Sequence, residues 1–197
     1  GQHYDHAMSA QLFDQLGLPQ PNVNLNVGSG SHAQQTAAIM VGLEQFLMST
    51  DVALMVLYGD VNSTLAGAVT GAKMQLPLAH VEAGVRSFDR SMPEEINRVV
   101  TDRLSQYLLT PSEEAGENLL REGADPSSIH CVGNVMTDSL VRCLPLADAE
   151  SVLTPLGLTP SDPFILTTLH RVSTVDDPTV LEAMIKVKHL YGIFLGY

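Results

Sequence analysis

Hydrophobic positions recur along this chain with two periods, one suited to helices and one to short buried strands. In His6–Leu16, Met8, Leu12 and Leu16 stand every fourth residue, which predicts a helix. Gly17 stops it, and Pro19-Gln20-Pro21 makes a rigid loop. The loop Asn26-Val27-Gly28-Ser29-Gly30-Ser31-His32 then leads into a long helix to about Met48. Ser31 is its candidate N-cap, because a side-chain oxygen there can take an orphaned N–H. The continuous apolar run Val52–Tyr58 suits a parallel strand covered on both faces. Gly59-Asp60-Val61-Asn62-Ser63-Thr64 turns the chain into a helix to about Met74, and Leu76–Val81 is the next strand. Pro93-Glu94-Glu95 opens another helix, with Pro where its missing N–H does no harm. Tyr107–Leu109 and Ser128–Val132 read as strands, and Glu113–Arg121 and Met136–Leu144 as helices.

The texture changes at Leu146–Asp162, where Pro155, Pro160 and small polar residues suggest a linker around one short helix. Phe164–Leu169 is then a new buried strand, followed by a helix from about Thr179 to His189. The expected division is a Rossmann-like domain over 1–146, a linker over 147–162 and the start of a second domain over 163–197. Strand and helix alternate with short connections, which predicts an α/β fold with a doubly wound parallel sheet. In such sheets ligands bind beyond the carboxyl ends of the strands. The residues to interrogate are therefore Asp60, Glu82, Gly133 with Asn134, and His170 with Arg171, each just past a predicted strand.

Composition narrows the chemistry. Hydrophobic residues make up 45% of the 197 positions, enough to build a core and to exclude a disordered chain. Acidic residues number 22 against 10 basic ones, a net charge of −12, which argues against binding nucleic acid through phosphates. No apolar run reaches the roughly 18 residues that cross a bilayer. Cys131 and Cys143 have no metal spacing and read as two reduced, buried thiols of a cytoplasmic protein. The His80-Val81-Glu82 triplet lacks the cysteine pair of a zinc deaminase, so no metal is expected and His80 reads as an inward-pointing strand residue. Gly28–His32 could cradle an anion at a helix N-terminus, or it could be a structural loop. The stretch Glu82–Arg98 is dense in charge for so sparsely charged a chain. Clustered carboxylates can divide acid and base roles, because crowding and burial raise the pKa of one of them. A cation such as His170 or Arg171 could hold a diphosphate leaving group.

Several segments carry a family resemblance: Gly1–Asp5, Leu25–Gln35, Tyr58–Leu65, His80–Arg98, Gly133–Asp138 and Leu169–Arg171. Together they resemble the non-hydrolysing UDP-N-acetylglucosamine 2-epimerases. The resemblance implies a GT-B-like architecture, two Rossmann-like domains with the active site between them, the second only begun here. It implies interconversion of UDP-N-acetylglucosamine and UDP-N-acetylmannosamine through elimination of UDP and a glycal intermediate, with no cofactor, in a homodimer. By motif, Asp60, Glu82, Glu94 and His170 match catalytic positions. Asp60, Glu82, His170, Arg171 and Asn134 match substrate-binding positions, and Gln2 and His3 lie where some relatives have an allosteric site. The family usually continues His-Arg-x-Glu-Asn, whereas this chain has Ser173 and Thr174 in place of the Glu and Asn. The first strand expected of the family would precede Gly1, and most of its second domain would follow Tyr197. Two other readings stay open: a GT-B glycosyltransferase, or an inactive nucleotide-sugar-binding fragment.

Overall fold

The computed structural model describes residues 13, 16–167, 175–191 and 193–195. The chain divides into two compact units, Gly1–Pro145 and Leu146–Tyr197.

In the first unit, α1 (His32–Leu47) is followed by β1 (Met55–Tyr58), α2 (Asn62–Lys73), β2 (Leu78–Val81) and α3 (Pro93–Leu104). After these come β3 (Tyr107–Thr110), α4 (Glu113–Arg121), β4 (Ile129–Cys131) and α5 (Val135–Cys143). The four strands form one parallel sheet in the order β1-β2-β3-β4, with Tyr58 opposite Val81 and Val81 opposite Leu109. Each step goes in the same direction, as on one arm of a doubly wound Rossmann-like sheet. Ser31 caps α1 as its sequence predicts: its oxygen accepts the Gln34 N–H, and the Gln34 side chain returns to the Ser31 N–H.

Small residues let α2 lie directly on the sheet. A Cβ on Gly67 would stand 2.6 Å from a Leu57 methyl, and one on Gly71 would stand 2.7 Å from a Leu78 methyl. Leu57, Ala68 and Leu78 form one buried cluster, joined by Met55, Ala72 and Leu104. Ala83, Leu108 and Leu119 form a second cluster beneath α4. Burying side chains as completely as Leu78 and Leu119 contributes roughly 2 kcal/mol each.

β2 is buried at all four of its positions. The expectation of cover on both faces fails for β1: Leu57 is buried, but Val56 is 43% and Tyr58 65% exposed. β1 ends this sheet, and α2 covers only the face to which Met55 and Leu57 point. The two cysteines also depart from expectation. Cys131 is exposed and Cys143 half-buried, because β4 is the opposite edge strand and α5 buries none of its residues.

In the second unit, Asp148 caps α6 (Ala149–Leu153) by accepting the Ser151 N–H. β5 (Ile165–Thr167) pairs in parallel with β6 (Ile193–Leu195), and α7 (Pro178–Tyr191) lies between them in sequence. β6 is not predicted by the sequence pattern. Among the described residues no helix is long and apolar enough to cross a membrane.

Candidate active site

The carboxyl ends of β1 and β2 lie side by side. The Gly59 N–H donates to the Val81 carbonyl at 3.2 Å, which ties the two chain reversals together. Asp60 follows one strand and Glu82 the other. A Cβ built on Gly59 would stand 3.6 Å from Glu82 Oε2, so the Glu82 carboxylate reaches across to the β1 turn. Both acids are half-buried.

Glu82 has φ +73°, a left-handed conformation that costs a residue with a Cβ about 1 kcal/mol or more. The surroundings hold it there. The N–H groups of Glu82 and Ala83 both donate to the Leu109 carbonyl at 3.1 Å. Gly84, at φ +78°, passes so close to α4 that a Cβ would stand 2.2 Å from the Ala115 carbonyl oxygen. Only glycine fits there.

Helix α3 supplies the next layer. The Asn97 amide donates to the Asp60 carbonyl at 2.8 Å, and the Arg98 guanidinium pairs with the Asp60 carboxylate. Glu94 sits three and four residues before them, on the same helix face and one turn nearer the N-terminus. Pro93 starts the helix there, and Met92 offers no side-chain cap. Among the described residues, neither Glu82 nor Glu94 has a side-chain hydrogen bond or ion pair.

Glu95, the next residue, has the opposite surroundings. It is buried, and its oxygens accept the Ser87 N–H and hydroxyl at 2.9 Å and the Phe88 N–H at 3.0 Å. Arg98 approaches at 3.2 Å. Burial alone works to raise the Glu95 pKa. The Ser87 and Phe88 donors and the Arg98 charge outweigh it and hold the carboxyl below its ordinary range.

Beneath the rim lies a buried polar cluster that sequence reasoning missed. His80 is fully buried between the Gly59 carbonyl, 2.7 Å from Nε2, and Asp102 Oδ1, 2.6 Å from Nδ1. Asp102 Oδ2 accepts from Arg86 Nη1 at 2.8 Å. Arg86 forks onto Glu122 with two bonds of 2.7 Å. Burial opposes the Arg86 charge, but Glu122 and Asp102 outweigh it and raise the pKa of the guanidinium. The sequence supplies His80 as an inward strand residue, but nothing local points to an aspartate 22 positions later. A groove of about 1330 Å³ lies beside this cluster, with Arg86, Ile96, Val99, Leu119 and Glu122 in its walls; its lining omits Asp60, Glu82 and Glu94.

Asn134 stands at the end of β4, two strands from β2, and its Oδ1 is used as the N-cap of α5, accepting the Met136 N–H at 2.8 Å. In the Gly28–His32 loop, Gly28 accepts a bond from the Gln35 amide and Ser31 serves as the cap, so these contacts are structural. His170, Arg171, Gln2 and His3 lie outside the described residues. Among the described residues no group of three or more His, Cys, Asp or Glu is placed to hold a metal ion.

Comparison with known proteins identifies the family and the fold. A UDP-N-acetylglucosamine 2-epimerase homolog from Methanococcus maripaludis is 48% identical over 187 residues, 94% of this chain and 52% of that protein. A UDP-2,3-diacetamido-2,3-dideoxy-D-glucuronate 2-epimerase from Pseudomonas aeruginosa is 42% identical over 94% of this chain and 52% of its own length. The crystal structure of Methanocaldococcus jannaschii UDP-GlcNAc 2-epimerase in complex with UDP-GlcNAc and UDP superposes with a TM-score of 0.88 at 41% identity. That match covers 99% of this chain and 55% of the other. The chain thus spans about half the length of the relatives it matches. The UDP-N-acetylglucosamine 2-epimerase family model covers residues 1–190, and the chain belongs to that family.

Proposed function

We propose that the whole protein interconverts UDP-N-acetylglucosamine and UDP-N-acetylmannosamine. One observation carries the reading: Asp60 and Glu82 converge at adjacent strand ends, with the Glu82 carboxylate unpartnered among the described residues and reaching toward the Asp60 turn. A base there takes the C2 proton of the sugar. The C–H electron pair becomes the C1=C2 double bond, the C1–O bond breaks on the opposite face, and UDP leaves with that bonding pair. A proton then returns to the other face of C2 as UDP adds back at C1.

Glu82 and Glu94 supply the free carboxylates for these proton transfers. Asp60, held by Arg98, is the anion that orders the rim. His170 and Arg171 serve the departing diphosphate, where cations stabilise developing charge. Asn134 contacts substrate through the amide nitrogen that its capping role leaves over. The whole protein works as a cytoplasmic homodimer without a cofactor. Gln2 and His3 border an allosteric nucleotide-sugar site.

A second substrate has a specific claim. The Pseudomonas relative, named for a diacetamido glucuronate, is at least as similar to this chain as two relatives named for UDP-N-acetylglucosamine. Both substrates undergo inversion at C2 and differ at C3 and C6. The test is to offer each UDP-sugar to the whole protein and follow the C2 epimer by proton NMR. Accumulation of UDP-N-acetylmannosamine supports the first reading. Turnover of the diacetamido glucuronate alone moves the protein to the second. No epimer from either overturns both.

A further inference from the structure

We propose that Asp102 is a positioning residue which, through His80 and Gly84, fixes the two turns that carry Asp60 and Glu82. The inference rests on the reading of the rim formed by Asp60 and Glu82 as the catalytic site.

The geometry is a single buried carboxylate with two mechanical outputs. Through Oδ1 it holds His80 Nδ1, and the other ring nitrogen of His80 donates to the carbonyl of Gly59, the residue before Asp60. Through Oδ2 it accepts the N–H of Gly84 at 3.1 Å, two residues after Glu82. Gly84 is gripped from its other side by the Asn118 amide, which donates to its carbonyl at 3.0 Å. The left-handed conformation of Glu82 is thus clamped between a strand bond to Leu109 and two side chains from different helices. His80 also bridges β2 to the turn after β1, and so braces the junction that the Gly59 N–H bond to Val81 already ties.

Stability alone does not account for this arrangement. Burying His80, Asp102 and Arg86 together carries a desolvation penalty that an apolar set of the same volume avoids. Both ring nitrogens of His80 are used, which leaves none to meet a ligand. What the cluster does hold is the backbone on either side of the free carboxylate. A misplacement of about 1 Å at a reacting group can cost on the order of a hundredfold in rate.

The experiment uses the whole protein with UDP-N-acetylglucosamine and measures kcat, KM and thermal unfolding for Asp102→Asn, Asn118→Ala, Glu82→Gln and Leu47→Ala. Leu47 is buried in α1, apart from the cluster, and its truncation controls for loss of stability as such. Positioning predicts that Asp102→Asn lowers kcat by about tenfold to a hundredfold with KM within twofold, whereas Leu47→Ala keeps kcat despite a lower unfolding temperature. If Asp102→Asn yields no folded protein, Asn118→Ala carries the test, with a kcat loss of about tenfold and the same unchanged KM. A folded Asp102→Asn with wild-type kcat, or a kcat loss matched by Leu47→Ala at equal destabilisation, overturns the proposal. Glu82→Gln separates the two claims. If it retains full turnover, the assignment of the site has failed. If it is inactive while Asp102→Asn is normal, only the positioning role has failed.

Discussion

Glu94 and Glu95 are neighbours in sequence and identical in chemistry, yet they belong to two different regions. Glu94 shares a helix face with Asn97 and Arg98, which contact the Asp60 turn, and among the described residues it and Glu82 keep their oxygens unpartnered. Glu95 faces the interior, where Ser87, Phe88 and Arg98 occupy its carboxylate. Asp102, two turns further along the same helix, is likewise saturated. The difference teaches where each acid can act. A carboxylate with every lone pair engaged holds structure and is a poor base. One left open above a braced backbone is available for a proton.

The sharpest break in this comparison comes from the bracing itself. Gly84→Ala would push a methyl into the Ala115 carbonyl at a positive φ, and we expect a loss of about 3 kcal/mol or more by urea denaturation. Next are the open acids. Glu82→Gln and Glu94→Gln should each cut turnover of the whole protein by about a hundredfold or more while leaving its unfolding midpoint nearly unchanged. Glu95→Gln should do the reverse, costing about 2 kcal/mol of stability because Arg98 and the Ser87 and Phe88 donors lose a charged acceptor.

The sign of the acid response follows from the lowered Glu95 pKa. Its contribution is fully present above the ordinary value of 4.5 and is lost as pH falls through the lower folded value. The stability gap between wild type and Glu95→Gln should therefore be widest near neutrality and close well below pH 4.5, as read by thermal unfolding across pH. Smallest of all is Arg121→Ala. Its pair with Glu117 spans 3.5 Å and both side chains are more than 60% exposed, so the change should stay within about 0.5 kcal/mol.

What the sequence made legible were features written locally. Ser31 with Gln34 marks a helix start, Pro93 marks another, and Glu113–Arg121 is helical over the range its pattern predicts. The strand-end rule singles out Asp60 and Glu82 from the sequence, because parallel strands present their carboxyl ends on one edge. Periodicity does not report how many layers lie against a strand, so the exposed face of β1 and the exposure of Cys131 were not legible. Helix phase separates Glu94 from Glu95, and that phase is set by the packing of α3. The pairing of His80 with Asp102 joins residues 22 positions apart through a tertiary contact that no local pattern encodes. β6 was missed because three apolar residues beside glycines become a strand only by pairing with β5.

The central claim is that an open carboxylate at this rim removes the proton from C2 while UDP departs. Running the whole protein with UDP-N-acetylglucosamine in deuterated water tests it most directly, with C2 read by NMR and mass spectrometry. The account predicts an epimer carrying one deuterium at C2, formed at a rate that collapses in Glu82→Gln. An epimer formed at full rate with its original hydrogen still at C2 would contradict it.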